Sequence, residues 1–192
     1  MPRSRSRHFK AVIASLLLAS SMPALAAPRE FVVEIELPRI PVAEYHRPYV
    51  AGWIEDAQGR AVVPLLVWYD VKKREDGGKR WLPEMRTWWR RAGRAMTLPA
   101  NGVTGATRAP GRNVIALPAN GSPLSRLPAG HYSFAVEAAR EAGGREVVRA
   151  PFNWRPGGSV DAGAVGTGER AGQDPTGPAV RIGPRELHRV GR

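Results

Sequence analysis

Two runs of strand-forming residues lie on either side of a short turn near the middle of the chain. Tyr49–Glu55 (YVAGWIE) and Ala61–Asp70 (AVVPLLVWYD) are rich in β-branched and aromatic residues, and Asp56–Gly59 (DAQG) between them is typical of a turn. This pattern predicts a β-hairpin. Pro64 inside the second run favours an edge strand or a bulge, because proline cannot donate a hydrogen bond to a neighbouring strand.

Four further apolar runs separated by turn-forming residues predict additional strands. They are Phe31–Leu37, Asn113–Leu117, His131–Ala138 and Arg145–Trp154. At least six strands with turns between them indicate an all-β fold, and we expect an immunoglobulin-like antiparallel β-sandwich. The domain is predicted to occupy residues 28–155, which is long enough for one hydrophobic core.

The segment Trp81–Arg94 (WLPEMRTWWRRAGR) changes from the strand period to a helical one. Its apolar residues recur at the spacing of one helix face, with Pro83 suited to the first turn and Gly93 suited to the end. The apolar positions are Trp81, Met85, Trp88, Trp89 and Ala92. We predict one short amphipathic helix that is inserted between strands and packs against the sheet.

The two ends of the chain differ from this central region. Residues 1–27 have a basic start, an apolar stretch and Ala24-Leu25-Ala26 as a cleavage pattern, which predicts a secretory signal peptide and a periplasmic protein. The later chain contains no apolar run long enough to span a bilayer. Residues 156–192 are rich in glycine and proline, and we expect a disordered tail.

Composition narrows the chemistry that this chain can perform. The sequence has no cysteine, so neither disulfides nor thiol chemistry operate in the oxidising periplasm. After the predicted signal peptide only His46, His131 and His188 remain as histidines, and no nucleophile elbow or phosphate-binding glycine loop occurs. The pattern favours an electron carrier or a binding protein over a stand-alone enzyme, with no metal site indicated.

A strongly basic segment overlaps the predicted helix. It has nine cations against Glu75, Asp76 and Glu84. The cations are Lys72, Lys73, Arg74, Lys79, Arg80, Arg86, Arg90, Arg91 and Arg94. This segment is either a solvated surface or a contact for a phosphate group or an acidic redox protein, and export argues against nucleic acid. We predict that Arg86, Arg90, Arg91 and Arg94 bind a partner.

The sequence Thr104-Gly105-Ala106-Thr107, which Arg108 follows, is similar to the acceptor motif of bacterial flavin transferases. In that motif the final threonine carries FMN through a phosphoester. Nearby Gly102 and Gly111 favour an exposed loop that presents the Thr107 hydroxyl, and Arg108 is suited to pair with a phosphate. We therefore predict FMN on Thr107, with Thr104, Gly105 and Ala106 as recognition residues.

Several separate segments of the chain together resemble one bacterial family. They are EYHRPYVAGWIED (44–56), VWYD ending at position 70, WLPEMRTWWRRAGR (81–94), GVTGATR (102–108), LPAGHYSFAVEAARE (127–141) and GGRE (143–146). The family is the predicted periplasmic proteins known as domain of unknown function 2271. The resemblance implies a flavin transferase and a PepSY-type membrane reductase as partners. Acceptors of that transferase usually have an acidic residue several positions upstream, where this chain has Asn101.

Two further hypotheses remain beside the flavin carrier. The protein could be a non-redox binding or assembly module that docks on a membrane or envelope partner through its basic segment. It could also be a sandwich that binds a carbohydrate or another small ligand with Tyr45, Tyr49 and exposed tryptophans.

Overall fold

The computed structural model describes residues 30–39, 41, 45–118, 122–140, 144–155, 159–160, 169–171 and 179–183. The predicted signal peptide lies outside these residues. The described chain forms ten strands and one α-helix: β1 (Glu30–Leu37), β2 (Tyr49–Glu55), β3 (Ala61–Tyr69), α1 (Arg86–Arg91), β4 (Thr104–Ala106), β5 (Gly111–Pro118), β6 (Gly130–Ala139), β7 (Arg145–Arg155), β8 (Ser159–Val160), β9 (Glu169–Ala171) and β10 (Ala179–Gly183). It also forms 3₁₀-helices over Arg74–Asp76, Lys79–Glu84, Gly93–Ala95 and Pro123–Arg126.

The strands form one large and one small sheet, which confirms the prediction of an all-β fold. The large sheet has the order β4-β3-β2-β6-β7-β8, with β9 also paired to β7, and the small sheet has the order β10-β1-β5. Neighbouring strands are antiparallel except β3 and β4, which are parallel. The prediction of a wholly antiparallel arrangement is therefore wrong at this edge. The chain crosses one face of the large sheet between β3 and β4, and such a crossover returns a strand in the same direction.

The predicted hairpin is present, and side-chain hydrogen bonds define its turn. The Asp56 carboxylate accepts hydrogen bonds from the backbone N–H groups of Gln58 at 3.0 Å and Arg60 at 2.9 Å. Gly59 completes the turn with φ of 71°, a left-handed conformation that glycine adopts without steric cost. These contacts explain why the turn lies at the Asp-Ala-Gln-Gly sequence.

The predicted irregularity at Pro64 is also confirmed. Gly52 pairs with Leu66, whereas the next residue, Trp53, pairs with Pro64, so β3 has one extra residue at this point. The register shift is a β-bulge, and β4 pairs with β3 only beyond it, from Val67 onward. Because Pro64 lies before the part of β3 that pairs with β4, its missing N–H interrupts no described pairing between these two strands.

A hydrophobic core lies between the two sheets. In β1 every second residue is buried, and Phe31, Val33, Ile35 and Leu37 are all at most 1% exposed. They pack against one face of the large sheet, which contributes mainly aliphatic and aromatic residues. These include Val50, Ile54, Leu66, Trp68, Phe134, Val136, Val148, Ala150, Phe152 and Trp154. The alternation in β1 thus follows from burial of one face of the small sheet.

The opposite face of the large sheet is covered by the segment of residues 79–95, which we call the helical layer. Leu82, Met85 and Trp88 are at most 2% exposed and pack on Trp53, Val67 and other sheet residues. The central strands are consequently buried on both faces. This explains why β2 and the second half of β6 are buried at successive positions rather than at alternate ones.

The helical layer differs from the single helix predicted over residues 81–94. The α-helix has only six residues, and 3₁₀-helices precede and follow it. Met85, with φ of −78° and ψ of 70°, breaks the helix at one end, and Ala92, with φ of −141°, breaks it at the other. Pro83 lies inside the preceding 3₁₀-helix, and Trp81 is 36% exposed rather than buried.

Three short strands lie within the segment that we predicted to be a disordered tail. β10 pairs with β1, while β8 and β9 pair with β7. These strands account for ten residues of the predicted tail, and the remainder of residues 156–192 lies outside the described chain. The strands escaped prediction because they have only two, three and five residues, too few for a periodic signal.

Candidate functional site

The segment Thr104–Arg108, which we call the acceptor segment, begins at the edge of the large sheet. Its first three residues form β4 and pair with the end of β3, from Val67 to Tyr69. The predicted exposed loop is therefore partly a strand. The turn before it brings the chain to the open edge of β3, where the N–H of Val67 donates to the carbonyl of Val103 at 2.9 Å.

Thr104 closes the turn that leads into the acceptor segment. Its backbone N–H donates to the carbonyl of Ala100 at 2.9 Å, and its hydroxyl oxygen accepts from the N–H of Ala100 at 2.8 Å. Gly102 between them has φ of 73°, which explains the glycine at this position. The Thr104 hydroxyl is thus occupied by the backbone of its own turn.

Gly105 and Arg108 both contact the side chain of Trp68 in β3. A Cβ atom on Gly105 would lie 3.1 Å from Cδ1 of the indole, so a larger residue would press on the ring. The Arg108 guanidinium lies 5.3 Å from the centroid of the Trp68 ring, within the range of a cation–π contact. Trp68 was not predicted as a site residue, since nothing local in the sequence connects it with a segment 37 positions further on.

Thr107 lies just after β4, at the start of the connection to β5 in the opposite sheet. Its side chain is half-buried, and its neighbours Ala106 and Arg108 are exposed. Within the described part of the chain, the hydroxyl of Thr107 takes part in no hydrogen bond. The two threonines of the acceptor segment therefore differ: one hydroxyl is used by the fold, and the other has no hydrogen-bond partner among the described residues.

The helical layer is attached to the sheet through Glu137 of β6, a carboxylate with no exposed surface. Glu137 accepts hydrogen bonds from the backbone N–H groups of Thr87 at 3.0 Å and Trp88 at 2.6 Å, at the start of α1. The Arg145 guanidinium donates to the same carboxylate at 2.7 Å. The first N–H groups of the helix thus have a negatively charged partner that is buried beneath them.

A second buried carboxylate, Glu55 at the end of β2, holds the other end of the helical layer. It accepts from the indole N–H of Trp53 at 2.9 Å and from the Arg149 guanidinium at 2.8 Å. Arg91 of α1 also donates to Glu55, and to the carbonyl of Gly59 at 2.7 Å. Arg91 is therefore engaged within the fold, although we predicted it to bind a partner.

The other three arginines that we predicted for partner binding are open to solvent. Arg86 has 69% of its side chain exposed and lies 3.8 Å from Glu84, a long contact between two solvated groups. Arg90 and Arg94 are exposed, and Arg94 donates to the Arg90 carbonyl at 3.2 Å. Trp88 is buried and Trp89 is half-buried, so neither is a fully exposed aromatic surface.

An open groove of about 940 Å³ lies between the β2–β3 turn and residues 122–132. Its walls include Arg60, Ser125, His131 and Tyr132, and none of the predicted site residues lines it. The pKa of Asp56 at its rim is below 3.8: partial burial of the carboxyl raises the value, and hydrogen bonds from Arg60 more than offset this. Among the described residues, no cluster of His, Asp and Glu side chains is arranged to hold a metal ion.

The fold and the acceptor segment together define a two-sheet β protein with a helical layer on its large sheet and a free threonine hydroxyl near one edge. The sequence model of the family described as "Predicted periplasmic protein (DUF2271)" matches residues 30–171, and the chain belongs to this family. The match confirms the family resemblance and the periplasmic location. No curated protein and no solved structure matches the chain. No helix in the described residues has the length and apolar character needed to cross a membrane.

Proposed function

We propose that this protein carries FMN as a phosphoester on the hydroxyl oxygen of Thr107 and transfers electrons in the periplasm. The observation that supports the proposal is the difference between the two threonines: the fold uses the Thr104 hydroxyl and leaves that of Thr107 free. When bound, the flavin supplies the redox chemistry. A covalent bond would keep this small cofactor from being lost to the surrounding medium.

The residues around Thr107 suit a phosphoester. Arg108 places a permanent positive charge beside it, and a guanidinium binds phosphate oxygens through short, charge-assisted hydrogen bonds. The contact with Trp68 limits the positions that Arg108 adopts. Gly105 and Ala106 have little or no side chain, so an enzyme can approach the backbone closely at this edge of the sheet.

The attachment step is a transfer to an alcohol. The Thr107 oxygen forms a bond to phosphorus while a phosphoanhydride bond of a donor flavin nucleotide breaks, and the hydroxyl proton is released. The remaining nucleotide is the leaving group, and no atom is oxidised or reduced in this step. By resemblance, the flavin transferase performs the transfer and a PepSY-type membrane reductase exchanges electrons with the flavin.

The intact mass of the protein tests this proposal directly. After co-expression with its flavin transferase, we expect the mass to increase by one FMN less one water, together with a yellow colour. Thr107→Ala should abolish the increase, whereas Thr107→Ser should restore it because the hydroxyl returns. Thr97→Ala removes an exposed threonine outside the acceptor segment and should have no effect. A mass increase that survives in Thr107→Ala would contradict the proposal.

A second candidate function is a non-redox, immunoglobulin-like module that docks on an envelope protein. The exposed guanidinium groups of Arg86, Arg90 and Arg94 favour this possibility. It predicts a colourless protein whose association weakens with salt, because exposed charges are screened. Reversing the charge of Arg86 and Arg90 should abolish docking, and the same change at exposed Arg126 should not. Unchanged affinity in the double variant would reject this surface.

A further inference from the structure

A tyrosine ring, that of Tyr132 in β6, lines the open groove beside the β2–β3 turn. The centroid of this ring lies 6.0 Å from that of buried Phe152, and the Tyr132 hydroxyl donates to the Pro128 carbonyl at 3.1 Å. A Cβ atom on Gly130 would lie 3.3 Å from the same ring, so the backbone also approaches it closely. These contacts hold the ring in one position, and its remaining surface forms part of the groove wall.

Three polar side chains of the same groove have no hydrogen bond or ion pair among the described residues. They are Gln58 of the turn, Arg126 of the nearby 3₁₀-helix and His131 of β6, and all three are exposed. Their amide, guanidinium and imidazole groups offer both N–H donors and oxygen or nitrogen acceptors. The groove therefore combines a fixed aromatic ring with several unengaged polar groups, which is the usual make-up of a ligand site.

The groove carries more positive than negative charge. Asp56 is the one carboxylate among its lining residues, and it is paired with Arg60 at 2.7 Å. The charge of Arg126 is therefore not balanced by another lining residue. Next to the turn, two guanidinium groups share the single carboxylate of Glu55. This surplus of cations favours a ligand that carries negative groups.

We propose that this groove binds an acidic polysaccharide, a polymer whose sugar rings carry carboxylate groups. The C–H face of a sugar ring packs on the ring of Tyr132, which contributes apolar contact area. The sugar hydroxyls exchange hydrogen bonds with Gln58 and His131, and a carboxylate accepts from the Arg126 guanidinium. An open groove of about 940 Å³ suits a polymer, because the chain continues beyond the site at both ends.

An acidic peptide matches the same charge but not the shape of this wall. An extended peptide commonly binds by pairing with the edge of a sheet. The part of β3 that lines the groove, residues 62–64, adjoins the β-bulge and ends in a proline that has no N–H donor. Bulges and edge prolines both disfavour the addition of a strand. A polysaccharide needs no such backbone pairing, so the groove favours the sugar polymer.

Isothermal titration calorimetry with the protein purified from the periplasm tests this proposal. Oligogalacturonate and oligomannuronate serve as acidic probes, and maltohexaose serves as a neutral probe. We expect at least one acidic probe to bind, and to bind less tightly as salt is added. Maltohexaose should bind at least about fivefold more weakly, because it has no carboxylate to pair with Arg126.

Substitutions at exposed positions locate the site without disturbing the core. Arg126→Gln should weaken binding of the acidic probe about fivefold, because it removes an ion pair at the surface. Gln58→Ala should weaken it about fivefold through the loss of a hydrogen bond. Arg94→Gln and Thr97→Ala are the matched controls, since both residues are exposed and neither lines the groove. Unchanged circular dichroism would show that each variant is folded.

The proposal fails if neither acidic probe binds, or if Arg126→Gln and Gln58→Ala both bind the probe as tightly as the controls. Equally tight binding of maltohexaose would contradict the part assigned to charge. Tighter binding of poly-L-glutamate than of either acidic sugar would overturn the proposal in favour of an acidic peptide. Thr107→Ala should bind the sugars like the native protein, because no residue of the acceptor segment lines the groove. Failure of this inference and failure of the proposed FMN attachment are therefore distinguishable.

Discussion

Replacing Glu137 by glutamine should weaken the attachment of the helical layer to the large sheet. The native carboxylate accepts three hydrogen bonds, from the N–H groups of Thr87 and Trp88 and from the Arg145 guanidinium, and it is fully buried. Glutamine has nearly the same shape but only one acceptor oxygen and no charge. At least one donor at the start of α1 then faces an N–H group instead of an oxygen.

The size of the effect follows from these contacts. Breaking a buried ion pair by removing one partner costs about 3–5 kcal/mol. The Arg145 side chain is 38% exposed, so water can solvate it once its partner is lost, which favours the lower end of that range. The contribution from the helix dipole adds less than about 1 kcal/mol, since α1 has only six residues. We expect Glu137→Gln to lower the free energy of unfolding by about 3 kcal/mol.

Urea unfolding followed by circular dichroism measures this loss, and hydrogen exchange locates it. The amide protons of Thr87 and Trp88 should exchange faster in Glu137→Gln, while those of β1 in the small sheet should change least. Glu84→Gln is the matched control, because that carboxylate is 54% exposed and should contribute less than about 0.5 kcal/mol. A loss below about 1 kcal/mol, or unaltered exchange at both amides, would refute the reasoning.

Three further predictions concern stability. Arg91→Ala should lower the free energy of unfolding by about 1–2 kcal/mol, because it removes a hydrogen-bond donor from the buried carboxylate of Glu55. Arg90→Ala should change the same free energy by less than about 0.5 kcal/mol. Equal urea midpoints for the two variants would contradict this. Gly52→Ala should cost about 1–3 kcal/mol, since the new methyl would lie 2.8 Å from the Phe134 ring, and an unchanged melting temperature would count against it. The lowered pKa of Asp56 contributes stability above pH 3.8, and this stability is lost as the pH falls through the folded-state pKa. In urea titrations at decreasing pH, the free energy of unfolding of an Asp56→Asn variant should therefore fall less than that of the native protein.

Much of the fold could be predicted because strand signals are local. The alternation of β1 and the turn-forming Asp56–Gly59 depend on residues within a few positions of one another, and the structure has both where the sequence predicted them. The helical layer was predicted as apolar on one face, and Met85 and Trp88 are indeed buried. Its division into short helices was not predictable, because it depends on packing against the sheet.

The candidate site was predictable only in part, for the same reason. The acceptor segment was recognisable as a motif, but the pairing of β4 with β3 and the contacts of Trp68 involve residues far apart in the chain. Arg90 and Arg91 are adjacent and chemically identical in the sequence, yet one is open to solvent and the other contacts Glu55.

The sequence by itself determined the strand and turn positions, the family and the composition of the basic segment, since each of these can be identified from short stretches of consecutive residues. Only the tertiary structure decided which charges are buried and which threonine hydroxyl is free. Glu55 and its partner Arg149 are 94 positions apart, and no local sequence pattern predicts the ion pair between them. Burial of the two carboxylates depends on closing the helical layer over the sheet, and this closure also brings Arg91 into contact with Glu55.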